Sequence, residues 1–392
     1  MADARAAAAQ GLTAATRRVQ TLTPPANLPL PPGPPPRPDA RVGVERIGEF
    51  ASRIDVRSPS EFAVDHVPGA INLPVLDDAE RARVGTMYVQ VSAFDARKLG
   101  AAIVARNIAR IVETHARDQP REWTPLVYCW RGGQRSRALT HVLAEIGWRA
   151  HQLDGGYRAY RRHVVATLLT LPQRFDYRVI CGLTGSGKSR LLAALAAQGA
   201  QTLDLEGLAR HRGSLLGDLP GDPQPSQKRF ESELVAALAS LDRARPVYVE
   251  SESRKVGNLQ VPETLLATMR AAPCVRVETP QPLRVELLMA EYAHFLAAPD
   301  LLASRLDRLV ELHGRKTIEQ WRDAAQRGAF DALTADLLER HYDPVYARSI
   351  ERNFPRYDAA TVVRIDDVSA EGFAAAARAL LAAATDRVAA PA

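Results

Sequence analysis

Lysine is almost missing from this chain: of 51 basic residues only five are lysines, at 98, 188, 228, 255 and 316. A lysine inside a motif is therefore hard to ascribe to composition. Cysteine is equally scarce. Three cysteines, at 129, 181 and 274, cannot build a disulfide framework, and their spacing fits no zinc pattern. Reduced thiols and a cytoplasmic setting are expected. No apolar run approaches the ~18 residues of a membrane span, and no apolar segment near the start has the form of a secretion signal. A membrane partner is not expected.

What is present is globular in character. With 392 residues, 46% hydrophobic and 24% charged, the chain has enough material for two domains with their own cores. The net charge of +6 suits an anionic partner. Residues 1–42 read as a disordered Ala/Pro-rich tail, with nine prolines in "PPANLPLPPGPPPRP" at 24–38. Between 43 and 168, strand-like "SRIDV", "TPLVYC" and "RAHQLD" alternate with helical "SRALTHVLAEIG" and "YRAYRRHVVATLL", the pattern of a parallel α/β domain. Residues 169–177 read as a linker. A second α/β domain follows over 178–385, with strands at "YRVIC", "AQTLDL", "RPVYVE" and "APCVRVE". Its residues 281–352 are mostly helical, "ATVVRIDD" and an Ala-rich helix close it, and 386–392 read as a short tail.

Two loops carry chemistry. "YCWRGGQRS" places Cys129 at the end of an apolar strand, ahead of Gly132-Gly133 and a helix starting near Ser136. Glycines let successive N–H groups turn inward to hold an anion, and the helix start adds partial positive charge. Arg131 and Arg135 supply full charges, so Cys129 is the candidate nucleophile. Trp130 and Gln134 complete the loop. Cys181 and Cys274, each in a strand, read as structural thiols.

The second loop, "GLTGSGKS", fits Gly-x4-Gly-Lys-Ser between a strand and an amphipathic helix. Gly182, Gly185 and Gly187 shape a cradle for a diphosphate, Lys188 adds a point charge, and Ser189 can reach a metal ion. Acids at strand ends, Asp204, Glu250 and Glu252, are candidates to hold magnesium. "DLEGLARHRGS" adds His211 and Arg212, and "ESESRKVGN" adds Arg254 and Lys255, as further groups for phosphate, with Glu206 as a supporting candidate beside them.

"RIDVRSPSEFAVDHVPGAINLPV" (53–75), the Cys129 loop and "LDGGYRAY" resemble a rhodanese domain, which transfers sulfur or selenium through a cysteine. Five residues separate Cys129 from Arg135, where common single-domain rhodaneses have four. The longer loop has the spacing of tyrosine phosphatases, although Tyr128 stands where those enzymes carry histidine. A phosphate-like donor is the expectation. The pairing of this domain with "GLTGSGKS", "DLEGLARHRGS", "VESESRKVGN" and "HYDPVY" resembles the bacterial tRNA 2-selenouridine synthases. "YVQVSA" departs from that family's Tyr-x-Gln-x-Gly form, which leaves Ser92 without an assigned role.

The resemblance implies a rhodanese-like three-layer domain followed by a parallel α/β P-loop domain with a helical C-terminal part. It implies a transferase that replaces sulfur by selenium in wobble 2-thiouridine in the anticodon loop of tRNA, and a monomer is expected. Selenophosphate and geranyl diphosphate would be co-substrates, with a geranylated intermediate, no tightly bound cofactor, and magnesium as a candidate ion. Three alternatives stay open: a rhodanese-linked P-loop kinase or nucleoside triphosphatase, a sulfurtransferase acting on another substrate, and an RNA-docking module.

Overall fold

The computed structural model describes residues 41–214 and 216–389. Most of the expected N-terminal tail lies outside them. Its last two residues do not belong to a tail: Arg41–Val42 form β1, which pairs with the strand His151–Leu153.

The first domain is a five-stranded parallel sheet. Its strands are β1, β2 (Arg53–Asp55), β3 (Ala70–Asn72), β4 (Leu126–Tyr128) and β5 (His151–Leu153), in the order β1-β5-β4-β2-β3. Side chains alternate across each strand. Leu126 and Tyr128 join a core on one face, with α5 (Gly156–Leu168). Val127 joins a core on the other face, with α3 (Ala93–Ile111) and α4 (Gln134–Ile146). Three layers result, as the resemblance implied. Two shorter connections matter for the site: α1 (Pro59–Val64), started by a Ser58–Glu61 capping box with proline in its first turn, and α2 (Asp78–Gln90). Ser92 caps the next helix by accepting the Asp95 N–H at 3.2 Å.

The second domain repeats the logic with β6 (Tyr177–Cys181), β7 (Gln201–Leu203), β8 (Val247–Glu250), β11 (Cys274–Glu278) and β12 (Thr361–Arg364), ordered β12-β11-β6-β8-β7 and parallel throughout. A hairpin, β9 (Lys255–Val256) and β10 (Leu259–Gln260), interrupts it. Helices α6 (Lys188–Ala197), α7 (Leu205–Ala209), α8 (Gln227–Ala239) and α9 (Glu263–Ala271) connect the strands. The helical part begins with α10 (Gln281–Glu291), α11 (Ala293–Leu296) and α12 (Pro299–Leu306). It continues with α13 (Val310–His313), α14 (Arg315–Gln326), α15 (Phe330–Leu337) and α16 (Asp343–Asn353). The closing helix α17 runs Ala370–Ala389, past the boundary at 385 set from composition.

Residues 169–177 are not a loose tether. Leu171, Phe175 and Tyr177 are buried in the same core as Tyr157 and Val164 of the first domain and Phe230 and Leu234 of the second. One hydrophobic core therefore spans both domains. Buried Asp65 adds a polar tie, accepting from the Tyr157 hydroxyl at 2.8 Å and from Ser232 of α8 at 3.1 Å.

Candidate active sites

Strand β4 delivers Cys129 to the carboxyl edge of the first sheet, where only 2% of the residue is exposed. The Gly133 N–H donates to its sulfur at 3.3 Å and the Ser136 hydroxyl at 3.2 Å. Gly132 holds φ at +62°, and a Cβ there would stand 2.7 Å from the Leu153 carbonyl. The "LDGG" segment is pressed against the loop as well. A Cβ on Gly156 would meet the Cys129 carbonyl at 2.3 Å, and the Tyr157 N–H donates to that carbonyl at 2.8 Å.

Gln152, which the sequence did not single out, organises the loop from below. Its amide nitrogen donates to the Gly132 carbonyl at 2.8 Å, to that of Gly133 at 3.1 Å and to the Ser136 oxygen at 2.8 Å. With the carbonyls drawn toward Gln152, the Gly133 N–H is left facing the sulfur. The expected pair of free arginines is only half present. Arg135 is bound by Glu61 at 3.1 Å, so its charge is already compensated, while exposed Arg131 has no acidic partner among the described residues. Glu61 also went unread. Trp130 is half-buried against Tyr157, and Gln134 is exposed at the first turn of α4.

In the second domain, β6 leads through Cys181 into the phosphate loop and α6. Gly185 and Gly187 take φ of +74° and +82°, where a Cβ would lie 2.8 Å from Leu288 and 2.5 Å from the Phe373 ring. At Gly182 it would lie 2.5 Å from the Ser186 hydroxyl. Lys188 lies over the loop, donating to the carbonyls of Gly182 at 3.1 Å and Leu183 at 3.3 Å. The loop opens on a cavity of about 380 Å³ lined also by Asp204, Glu206, His211, Arg212 and Glu252.

One oxygen from each of Glu206, Glu250 and Glu252 falls within 4.8 Å of the others. Glu250, at the end of β8, is fully buried and neither of its oxygens has a hydrogen-bond partner. Burial, then the neighbouring Glu206, pushes its carboxyl up to about 8. Burial likewise raises Glu206 and Glu252. Asp204 serves a different end: it caps α7 by accepting the Gly207 N–H at 2.7 Å. His211 is buried, its Nδ1 accepting from the Gly213 N–H at 3.1 Å, and burial lowers its imidazole. Arg254 and Lys255 do not join the cavity. The chain turns at Ser253 into the β9–β10 hairpin, and both side chains are exposed.

Comparison with known proteins covers both halves. The profile of the Rhodanese-like domain matches residues 45–163, and that of the tRNA 2-selenouridine synthase AAA domain matches residues 175–304. A tRNA 2-selenouridine synthase of Nitrosomonas europaea is 35% identical over 268 residues, spanning 66% of this chain and 67% of the relative. One from Marinobacter nauticus is 33% identical over 323 residues, 78% of this chain and 87% of the relative. The chain belongs to the tRNA 2-selenouridine synthase family.

In this family member the helical part closes the phosphate loop from above. Arg284 of α10 donates to the Thr184 carbonyl at 2.9 Å and to Asp343 of "HYDPVY" at 3.0 Å. Tyr346 of the same motif and Tyr292 reach the cavity wall. Beside it, an apolar slot of about 60 Å³ runs between α10, α12 and α15, lined by Leu216, Met289, Phe295, Leu302 and Leu333. Thr184, Ser214, Leu288 and Tyr292 line both spaces, so the two are contiguous. No sequence motif announced the slot, because its lining comes from four separate segments whose periodicity reads as ordinary helix core.

Proposed function

We propose that the protein exchanges sulfur for selenium at the wobble 2-thiouridine of tRNA, through a geranylated intermediate, with geranyl diphosphate and selenophosphate as co-substrates. The supporting observation is the joining of a polar phosphate-loop cavity to an apolar slot. A diphosphate head on a hydrocarbon tail matches that division. A nucleotide would place a polar ribose and base among leucines and phenylalanines.

In this reading the thiocarbonyl sulfur attacks C1 of the geranyl group. The S–C bond forms as the C–O bond breaks, and the electron pair leaves with diphosphate. Lys188 and the loop amides take up that charge. A thiocarbonyl sulfur is a poor leaving group, whereas the geranylated sulfur departs as a thiol. Selenium in selenophosphate is already at the selenide level, so it acts as the nucleophile at C2, and water then cleaves the P–Se bond to give phosphate. The Cys129 loop positions this donor. Glu206, Glu250 and Glu252 offer hard oxygen ligands that fit a magnesium ion, which would supply positive charge beside the diphosphate when bound. One chain holds both sites, consistent with a monomer.

The test is incubation with 2-thiouridine RNA and prenyl diphosphates, read by mass spectrometry of the nucleosides. Leu333→Trp should lose transfer from geranyl diphosphate while retaining it from the five-carbon dimethylallyl diphosphate. Robust ATP turnover without RNA, and no prenyl transfer by the wild type, would move the assignment to a nucleoside triphosphatase.

A further inference from the structure

Unpaired arginines are common on this protein, but four of them form a chain of neighbours that connects the two sites. Arg131 leaves the Cys129 loop directly after Trp130. The Arg158 N–H donates to the Trp130 carbonyl at 3.0 Å, fixing the start of α5 against that loop. Arg162 follows one helical turn later, and the exposed positions continue through Val165 and Leu169 at helical spacing. Val165 and Leu169 form one wall of a groove of about 380 Å³ whose other wall carries Arg254, ahead of the β9–β10 hairpin. Arg254 stands two residues beyond Glu252, which lines the phosphate-loop cavity. The row begins at one site and ends beside the other.

All four side chains are exposed, and none has a hydrogen bond or ion pair to an acid among the described residues. Their neighbours are different. Arg135 is bound by Glu61, Arg161 by Glu231, and Arg229 by Glu233. The groove itself is mixed in character: Val165 and Leu169 are 49% and 63% exposed, Glu231 on its wall is compensated by Arg161, and exposed Glu263 lies at its edge. Guanidinium groups that alternate with exposed apolar surface suit a strand bearing phosphates and flat bases. A recessed groove suits a strand better than it suits a planar lipid surface.

We infer that this row is the track of a single-stranded RNA segment. Its backbone runs from the Cys129 loop along α5 to the Arg254 groove, so one nucleotide is presented to either site without release of the RNA. The inference rests on the RNA substrate proposed above and adds where that RNA lies.

The experiment is fluorescence anisotropy of a labelled anticodon stem-loop RNA with the full chain over a salt series. R158A/R162A/R254A should bind about tenfold or more weakly, with a shallower salt dependence, as about three lost phosphate contacts require. Its melting temperature should stay at the wild-type value, because these side chains hold no partner. R106A, on α3 across the sheet from α5, should bind within about twofold of wild type. If the wild type binds the RNA and the triple variant binds equally well, the track is wrong and the RNA substrate stands. If the wild type does not bind RNA at all, both fail. Tighter binding to anionic lipid vesicles than to RNA, lost in the same triple variant, would overturn the track in favour of a membrane surface.

Discussion

The Ser189 hydroxyl donates to Glu206 at 3.1 Å, and through that bond the phosphate loop is joined to the buried carboxyls of Glu250 and Glu252. An acid whose value is raised in the folded state keeps its proton where the unfolded chain has lost it. For Glu250 that contribution to stability is complete below the ordinary 4.5 and is lost as pH rises toward about 8. A divalent ion replaces the proton and reverses the trend. Without metal, the melting temperature should therefore fall from pH 5 to pH 8.5. Magnesium should raise it more at pH 8.5 than at pH 6, and Glu250→Gln should make the pH slope shallower, with Glu206 and Glu252 supplying the remainder. An equal magnesium effect at both pH values would falsify the cation assignment.

Lys188 donates to two loop carbonyls and faces the carboxyls of Glu206, Glu250 and Glu252. Its charge sits in the phosphate loop itself, with Arg190 and Arg212 farther along the cavity wall. Lys188→Ala should lower geranylation of 2-thiouridine RNA by roughly a hundredfold or more, with an unchanged circular dichroism spectrum. Geranylation at the wild-type rate would separate the loop from the prenyl donor.

Cys129 should behave in the opposite way. Cys129→Ala should keep geranylation and lose selenium incorporation, since the sulfur and its two donors lie in the other domain. Gly156→Ala tests the same division through the backbone. With φ at +57° and a Cβ placed 2.3 Å from the Cys129 carbonyl, it must displace the loop, at roughly 1–3 kcal/mol of strain. Accumulated geranylated RNA in both variants is the expected mass-spectrometric result. Loss of both activities in a folded variant would show that the sites do not act separately.

Much of this arrangement was legible in sequence because it is local. Cys129 to Ser136 and Gly182 to Ser189 are contiguous strand–loop–helix units, where turn chemistry and helix start sit within ten residues. Strands β2, β4 and β5 of the first sheet and β6, β7, β8 and β11 of the second were readable for the same reason, being short apolar runs between amphipathic helices. By contrast β1, two residues at the end of the assigned tail, and β3, three residues, went unread. What escaped was assembled at a distance. Gln152 organises the cysteine loop from the next strand, Glu61 holds Arg135 across 74 positions, and Tyr292 and Tyr346 reach the phosphate cavity from the helical part. Arg254 and Lys255 misled because a hairpin, two residues per strand, is too short to leave a periodic signal. Residues 169–177 read as a linker for want of periodicity, yet their Leu171, Phe175 and Tyr177 are core.

The shared core leads to a prediction about folding. Two domains with separate cores unfold in separate steps, whereas residues of β4, α5, β6 and α8 here pack into one cluster. Trp123, Trp130 and Trp148 lie in the first domain and Trp321 in the helical part, so fluorescence of a Trp321→Phe variant reports on the first domain alone. Its melting curve should coincide with circular dichroism of the whole chain, as one cooperative transition. Ser232→Ala removes one of the two hydroxyl donors to buried Asp65 and should cost about 1–3 kcal/mol. Although Ser232 lies in the second domain, the first-domain fluorescence should shift by the same number of degrees as the circular dichroism. A fluorescence transition that stays in place while the circular dichroism curve moves would show that the interface does not couple the two domains.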